Sequence, residues 1–253
     1  MRFDGKVVIV TGAGSGIGEA TARRFSEEGA VVVLVGDHRK KVERVAAKLP
    51  KDRTRVHKAD VSRYGEVEAV VEATVKRFGA LHVMVNNAGI FKGSSVTKTR
   101  VSEWQAVMDT NAGGVFNGSR AALPHLIRSK GCIVNTASVS GLGADWEMSA
   151  YNASKGAVVN LTRAMALDYG RQGVRVNSVC PSFTLTDMTK DMAKSKKLVA
   201  KFMERMPMGR IIMPEDVAAV IAFLASDDAR MVTGVNLPVD GGVGASNGQP
   251  AMG

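Results

Sequence analysis

The sequence predicts an α/β fold, a single doubly wound parallel sheet of about seven strands with helices on both faces. Short runs of Val, Ile and Leu alternate with segments of helical periodicity along all 253 residues, and this alternation is typical of βαβ units. The apolar runs are nearly continuous, as expected for strands that are buried on both faces of a parallel sheet.

The predicted elements follow one another in a regular order. The strands are expected at 6–12, 30–36, 55–61, 81–89, 131–138, 174–181 and 234–242. The helices are expected at 18–29, 38–49, 65–79, 102–129, 150–173 and 214–226. Gly29 and Gly79 end two of the helices, and Pro214 begins the last one, which matches the usual preference for glycine after a helix and proline at its start.

The chain shows no linker and no repeat, so we predict one domain over residues 1–253. Two segments depart from the alternation. Residues 184–210 are rich in Lys and Met, and we interpret them as a small helical lid insert whose flexible side chains could cover a small apolar substrate. Residues 244–253 are rich in Gly, Ser and Asn and are expected to form an extended tail.

The composition excludes several classes of protein. Apolar residues make up 45% of the chain, and no apolar run approaches the length that spans a membrane. The N-terminal segment lacks the architecture of a signal peptide. Cys132 and Cys180 have no metal-type spacing and the four histidines are scattered. The sequence therefore predicts free thiols, no metal site, no membrane partner and a cytoplasmic location.

The net charge of +10 is concentrated in one region, because residues 39–63 contain ten Lys and Arg against three Asp and Glu. Such a cluster attracts anions and is compatible with a phosphate-bearing ligand, a nucleic acid or simply a solvated helix face. No interleaved aromatic residues and no nucleic-acid motif accompany it, so we expect no nucleic-acid partner.

A glycine-rich loop lies between the first predicted strand and the first predicted helix. Glycines occupy positions 12, 14, 16 and 18, where they allow positive φ angles and a close approach of the backbone to a phosphate. The N-terminus of the following helix supplies free N–H groups and a favourable dipole. This arrangement predicts a Rossmann-type dinucleotide site.

Tyr151 and Lys155 lie four positions apart in the predicted helix 150–173 and therefore on one face of it. A neighbouring cation favours the phenolate and lowers the pKa of a tyrosine, so the pair could exchange a proton with an alcohol near neutral pH. Taken alone, the same spacing also fits an ordinary surface pair.

Together with the glycine loop, several motifs in one order give the chain a resemblance to the short-chain dehydrogenase/reductase family over its whole length. These motifs are TGAGSGIG at 11–18, DV at 60–61, NNAG at 86–89 and VDGG at 239–242. The resemblance implies a catalytic tetrad of Asn111, Ser138, Tyr151 and Lys155. It makes Tyr151 the general acid/base and Ser138 a hydrogen-bond partner of the substrate oxygen. Ser138 could instead be a plain strand-end cap, and Asn111 a residue that merely bends its helix.

The resemblance also implies a set of cofactor-binding residues: Gly12, Ser15, Gly16, Ile17, Gly18, Asp37, Asp60, Val61, Asn87, Ala88, Gly89, Tyr151, Lys155, Pro181, Thr184 and Thr186. Members that prefer NAD usually carry Asp at the end of the second strand, where this chain has Gly36 followed by Asp37. A carboxylate at 37 would repel a 2′-phosphate, whereas His38, Arg39 and Lys40 could attract one. We therefore expect NAD, with NADP as the alternative.

Within the family, the chain is most similar to bacterial 2,3-butanediol (acetoin) dehydrogenases, which implies a small secondary alcohol or vicinal diol as substrate. The alternatives are a hydroxysteroid, a sugar alcohol, a 3-oxoacyl thioester, or a dinucleotide-binding sensor without turnover. The family is usually tetrameric, so a homotetramer is expected, and the tail could reach a neighbouring subunit. The substrate-binding residues expected from the resemblance are Ser138, Ser140, Tyr151, Phe183 and Gln249.

Overall fold

The structure is a computed structural model that describes residues 1–246. Within this range seven strands form one sheet: β1 (Val7–Thr11), β2 (Val31–Gly36), β3 (Thr54–Lys58), β4 (Val83–Asn86), β5 (Cys132–Thr136), β6 (Arg175–Pro181) and β7 (Asn236–Val239). Their order is β3-β2-β1-β4-β5-β6-β7, and every neighbouring pair is parallel. The predicted doubly wound sheet is therefore confirmed.

The helices of the same range connect these strands. They are α1 (Gly16–Glu27), α2 (Arg39–Ala46), α3 (Tyr64–Phe78), α4 (Val101–Met108), α5 (Gly114–Ser129), α6 (Val139–Leu142), α7 (Ser149–Tyr169), α8 (Lys190–Ala193), α9 (Lys196–Glu204) and α10 (Pro214–Ala225). Each helix predicted from the sequence is present within a few residues of its expected bounds, except that the segment 102–129 contains two helices.

The strands bury alternate residues on opposite faces of the sheet. Val8, Val10 and Leu34 belong to one apolar core, which includes residues of α1, α2 and α10. Ile9 and Val33 belong to a second core with residues of α3, α5 and α7. Because both faces are covered, the central strands need apolar side chains at every position, which explains their continuous Val and Ile runs.

The long predicted helix is interrupted between α4 and α5. Residues Asp109–Gly113 form a single π-helical turn, and Asn111 lies at its centre. Gly113 ends this turn and Gly114 begins α5, and the sequence analysis had left open that Asn111 bends its helix. π-turns inside α-helices are frequent at functional sites, and this turn lies beside the carboxyl edge of the sheet.

The insert at 184–210 is helical, as predicted, and contains α8 and α9. Phe202 of α9 stacks on the buried ring of Phe183, with the ring centroids 4.5 Å apart. Met206 is a correction to the lid interpretation, because it is 2% exposed and belongs to the apolar core. Met188 remains nearly half exposed beside the groove described below. That the insert moves as a lid remains a prediction.

The start of the predicted tail is not extended. Val243–Ala245 form a 3₁₀ turn, because the carboxylate of Asp240 accepts hydrogen bonds from the N–H groups of Gly242 and Gly244 at 2.9 and 2.7 Å. Gln249 and the rest of the predicted tail lie outside the described residues.

Gly18 permits a close contact between α1 and the loop that follows β1. A Cβ atom on Gly18 would lie 2.1 Å from the carbonyl oxygen of Gly12 and 2.6 Å from Nδ2 of Asn87. Gly18 therefore allows α1 to pack closely on this loop. The sequence analysis placed it among the cofactor-binding residues, but it does not line the groove described below.

The substitution Gly18→Ala should reduce the free energy of unfolding by about 1–3 kcal/mol, because backbone atoms must move to admit the methyl group. Gly65→Ala is the matched control, since a Cβ at this exposed helical position meets nothing within 4 Å. The control should be neutral or stabilising by up to about 1 kcal/mol. Equal denaturation midpoints for the two variants would contradict this packing role.

Candidate active site

A groove of about 430 Å³ runs along the carboxyl ends of the parallel strands. It is lined by residues from the loops after β1, β2, β3, β4, β5 and β6, together with residues of α7. In an open α/β sheet this edge is where ligands bind.

The glycine loop forms one wall of the groove. Gly12 and Gly16 have φ angles of 64° and 53°, a region that favours glycine. Ser15 is the N-cap of α1, but its side chain makes no capping hydrogen bond. The first N–H groups of α1 therefore remain available for a phosphate, and this loop fits the pyrophosphate of a dinucleotide.

The structure brings the other predicted cofactor residues to the same groove. The following members line it: Gly12, Ser15, Gly16, Ile17, Asp37, Asp60, Val61, Asn87, Ala88, Gly89, Tyr151, Lys155, Pro181, Thr184 and Thr186. These residues come from six loops and from α7, so the groove could hold an elongated ligand between the glycine loop and the tyrosine.

Asp37 directly follows β2, which ends at Gly36. Its side chain is 72% exposed, and its carboxylate lies 3.7 Å from Nε2 of His38. Both residues line the groove. The sequence register is thus correct, and a carboxylate stands at the position from which it could accept hydrogen bonds from ribose hydroxyl groups.

Ser138, Tyr151 and Lys155 meet in the groove where β5 and α7 approach each other. Nζ of Lys155 donates a hydrogen bond to the carbonyl oxygen of Thr136 at 2.7 Å and lies 5.7 Å from the centroid of the Tyr151 ring. Ser138 also caps the short helix α6, because its Oγ accepts from the N–H of Ser140 at 3.2 Å. The capping interpretation of Ser138 is therefore confirmed, and its hydrogen bond to the substrate oxygen remains a prediction.

The pKa of Tyr151 corrects the expectation from the sequence. Burial raises the pKa of its phenol above the usual value, a hydrogen bond with Ser138 lowers it, and the charge of Asp145 raises it further. The ammonium of Lys155 is engaged with the carbonyl oxygen of Thr136. In this structure burial outweighs the interactions that favour the phenolate, so the pKa of the Tyr151 phenol lies above its usual value.

Lys155 is only 5% exposed. Burial lowers the pKa of its ammonium group to about 8, and the neighbouring Cys180 partly opposes this shift. A lysine with this pKa carries its proton near neutral pH but holds it weakly.

Asn111 has a positioning role in this structure. It is fully buried, and its Oδ1 accepts from the N–H of Ile90 at 2.8 Å. Its Nδ2 donates to the carbonyl oxygen of Ile90 and to Oγ of Ser154, both at 3.0 Å. The side chain thus ties the π turn to the loop after β4 and to α7, and it does not line the groove.

Two predicted substrate residues do not line the groove. Ser140 is buried and hydrogen-bonded to Ser138 and Asp145, and Phe183 is buried against Phe202. Gln249 lies outside the described residues. The sequence analysis missed Phe91, whose ring meets that of Tyr151 edge-on at 5.3 Å. The position of Phe91 just after the NNAG motif was the available signal.

The sequence and structure were compared with known proteins. The sequence model of a family described as enoyl-(acyl carrier protein) reductase matches residues 12–244. The chain is 54% identical over 252 residues to meso-2,3-butanediol dehydrogenase of Serratia marcescens, and the match covers 100% of both chains.

Two solved structures share the fold along nearly the whole chain. A crystal structure of levodione reductase has a TM-score of 0.93 and 38% identity, covering 97% of this chain and 100% of that one. The 3-ketoacyl-(acyl-carrier-protein) reductase from Brucella melitensis, complexed with NADH, has a TM-score of 0.88 and 36% identity, covering 95% and 99%. The chain belongs to the short-chain dehydrogenase/reductase family. It is an oxidoreductase that uses a nicotinamide dinucleotide.

Residues 1–246 lack two further features. No helix in this range is both long and apolar enough to pass through a membrane. No group of three or more His, Cys, Asp or Glu side chains in the same range is arranged to hold a metal ion.

Burying the ammonium of Lys155 should cost stability, and the cost should depend on pH. The folded pKa of about 8 lies below the ordinary lysine value of 10.5, so the unfolded chain binds more protons between these values and stability rises with pH in that window. Below pH 8 the full cost of about 3 kcal/mol is present. Lys155→Met should therefore be stabilised relative to the wild type most at pH 7, and progressively less towards pH 10.

Chemical denaturation of the two proteins at several pH values measures this difference. The exposed Lys98→Met is the control and should show no such trend. A difference in unfolding free energy between Lys155→Met and the wild type that stays constant from pH 7 to pH 10 would contradict the buried, weakly held proton.

Proposed function

We propose that the protein is an NAD-dependent dehydrogenase that interconverts a small secondary alcohol or vicinal diol with its ketone, with 2,3-butanediol and acetoin as the expected pair. The full-length similarity to the Serratia butanediol dehydrogenase carries this proposal. The groove supports it, because Ser138, Tyr151 and Lys155 converge beside the dinucleotide-binding loops.

Each residue of the groove has its own role in the proposed reaction. A bound nicotinamide dinucleotide supplies the hydride acceptor or donor. Tyr151 transfers the proton at the substrate oxygen, and Ser138 forms a hydrogen bond to the same oxygen. Lys155, with an ammonium 5.7 Å from the Tyr151 ring centroid, supplies a positive charge that favours the phenolate when an alcohol is oxidised. Phe91 packs edge-on against Tyr151 and restricts the ring.

The preference for NAD is proposed from the charge at the groove. The carboxylate of Asp37 would repel the 2′-phosphate of NADP and accept hydrogen bonds from the hydroxyl groups of NAD. The Brucella relative supports this choice as a structure solved with NADH.

We further propose a cytoplasmic homotetramer. Val101 and Trp104 on α4 and Phe116 on α5 are 83%, 40% and 48% exposed, and an exposed apolar surface of this kind favours association. Cys132 and Cys180 are both free and buried, which suits a reducing compartment.

A steady-state screen tests the substrate assignment. The wild type would be assayed with 2,3-butanediol isomers, acetoin, other secondary alcohols and a 3-oxoacyl thioester, each with NAD(H) and NADP(H). The diol and acetoin should give the highest kcat/KM. A higher value for the 3-oxoacyl thioester would favour the reaction of the Brucella relative, and no turnover with any alcohol or ketone would contradict the proposal.

Tyr151→Phe should lower kcat by two or more orders of magnitude, the usual contribution of a general acid/base, because it removes the transferable proton but keeps the ring. Cofactor binding, measured by fluorescence titration with NADH, should be largely retained. Tyr169→Phe is the control, since Tyr169 lies at the opposite end of α7, and it should keep the wild-type kcat. Wild-type turnover in Tyr151→Phe would reject the assignment.

Asp37→Arg should shift the preference towards NADP, because it removes a repulsive carboxylate and adds a guanidinium that can bind the 2′-phosphate. The ratio of kcat/KM for NADP to that for NAD should rise by at least tenfold, equivalent to about 1.4 kcal/mol. Asp37→Asn, which only removes the charge, should lie between the two proteins. A wild type that already prefers NADP would refute the charge argument.

A further inference from the structure

An ion pair joins two segments that follow strands far apart in the sheet. Nζ of Lys41, in the first turn of α2, lies 3.6 Å from Oδ2 of Asp187, which follows β6. Helix α2 itself follows β2, and β1, β4 and β5 stand between β2 and β6 in the sheet. The bridge between the two side chains therefore crosses the carboxyl ends of the three central strands. Both residues line the groove.

Lys41 has a firm support beside the glycine loop. A Cβ atom on Gly14 would lie 3.0 Å from Cβ of Lys41, so the start of α2 packs directly on this loop. Further along α2, Nη2 of Arg44 donates to the carbonyl oxygen of Gly14 at 3.0 Å and to the carboxylate of Glu19 at 2.6 Å. The position of α2 is thus fixed by contacts that do not involve Asp187.

Asp187 lies in a compact turn on the other wall of the groove. Oγ1 of Thr189 accepts from the N–H of Thr186 at 3.0 Å and donates to the carbonyl oxygen of Thr184 at 2.5 Å. Thr186 also contacts the glycine loop, because a Cβ atom on Gly16 would lie 3.0 Å from its Cγ2. This turn begins the helical insert, and through the ion pair it closes over the loop that fits a pyrophosphate.

The exposure of the pair suits a contact that must open and close. The side chains of Lys41 and Asp187 are 55% and 56% exposed. Exposed ion pairs are weak and are screened by salt. A weak closure allows a dinucleotide to enter and leave the groove, but it slows each departure.

We propose that Lys41 and Asp187 form a strap across the groove that retains the bound dinucleotide, and that the two side chains must part before it is released. Both are positioning residues, because they act by holding the turn at 184–189 against α2. Loops that close over a ligand must open before it leaves, and this opening limits turnover in many enzymes. The inference rests on the dinucleotide binding of the proposed function, but not on its substrate or on the choice between NAD and NADP.

The variant Asp187→Asn separates the strap from a simple attraction between Lys41 and the phosphates. If attraction alone operated, the loss of a carboxylate beside the phosphates would slow release. Because the strap needs both charges, we expect Asp187→Asn and Lys41→Met each to speed the release of NADH by about twofold to fivefold, the range of one exposed ion pair. Stopped-flow fluorescence measures this rate when excess NAD displaces bound NADH. NADPH and NADP replace them if the wild type binds NADPH more tightly.

The two substitutions should not add, since either one removes the same contact. In the Lys41→Met background, Asp187→Asn should leave the release rate unchanged. The matched controls remove the same charges elsewhere: Lys48→Met just beyond α2, and Asp191→Asn in α8, where the carboxylate binds Lys194 at 2.6 Å. Neither residue lines the groove, and both controls should release NADH at the wild-type rate.

A second measurement needs no cofactor. Amide hydrogen exchange of the free protein, followed by mass spectrometry on a peptide covering 184–193, reports how often the turn opens. After correction for the intrinsic rates of the changed residues, exchange should be about twofold to fivefold faster in Asp187→Asn and Lys41→Met, and unchanged in the two controls.

Three results would overturn the strap: release from Asp187→Asn at or below the wild-type rate, additive effects in the double variant, or wild-type exchange in both single variants. A wild type that binds neither NADH nor NADPH would instead refute the proposed function.

Discussion

Side-chain hydrogen bonds between three neighbouring strand ends fix the floor of the groove, and the rest of the site depends on them. Oγ1 of Thr11 accepts from the N–H groups of Asn87 and Ala88 at 2.9 and 3.1 Å, and Nδ2 of Asn87 donates to the carbonyl oxygen of Thr11 at 3.0 Å. Oγ1 of Thr136 donates to Oδ1 of Asn87 at 3.2 Å. These bonds join the ends of β1, β4 and β5, so the phosphate-binding loop and the catalytic region keep a fixed separation. Because Lys155 donates to the carbonyl oxygen of Thr136, the catalytic helix α7 is held on the same framework.

Within this framework, the buried ammonium of Lys155 lowers the stability of the fold. Lys155 is buried, and burial lowers the pKa of its ammonium group to about 8. One hydrogen bond to the carbonyl oxygen of Thr136 recovers part of the lost hydration, but an apolar side chain of similar length would fill the space at lower cost. A stable domain of this size tolerates such a cost because its two apolar cores are extensive. Packing alone therefore does not explain a lysine at position 155.

The sheet, its helices and most residues of the groove could be predicted from the sequence, because periodicity and glycine placement are local signals. It was not sufficient where a property depends on the environment of a side chain. The spacing of Tyr151 and Lys155 predicted a lowered pKa for the tyrosine, whereas burial raises it. Gly18 belongs to the glycine motif, yet its role is set by contacts with residues far along the chain. Asp145 carries no motif, and only the fold brings its carboxylate to Oγ of Ser140.

The basic cluster at 39–63 shows why a count of charges does not determine a ligand. Nε of Arg39 binds the carboxylate of Glu43 at 2.7 Å, and Nη2 of Arg44 binds that of Glu19 at 2.6 Å. Arg44 also donates to the carbonyl oxygen of Gly14 at 3.0 Å, so it supports the glycine loop from outside the groove. Guanidinium groups engaged in this way are less available to a 2′-phosphate, and surface pairs of this kind add little to stability. Asp37, in contrast, follows the end of β2 and lines the groove with a carboxylate whose side chain is 72% exposed, so its charge stays open to solvent at the groove.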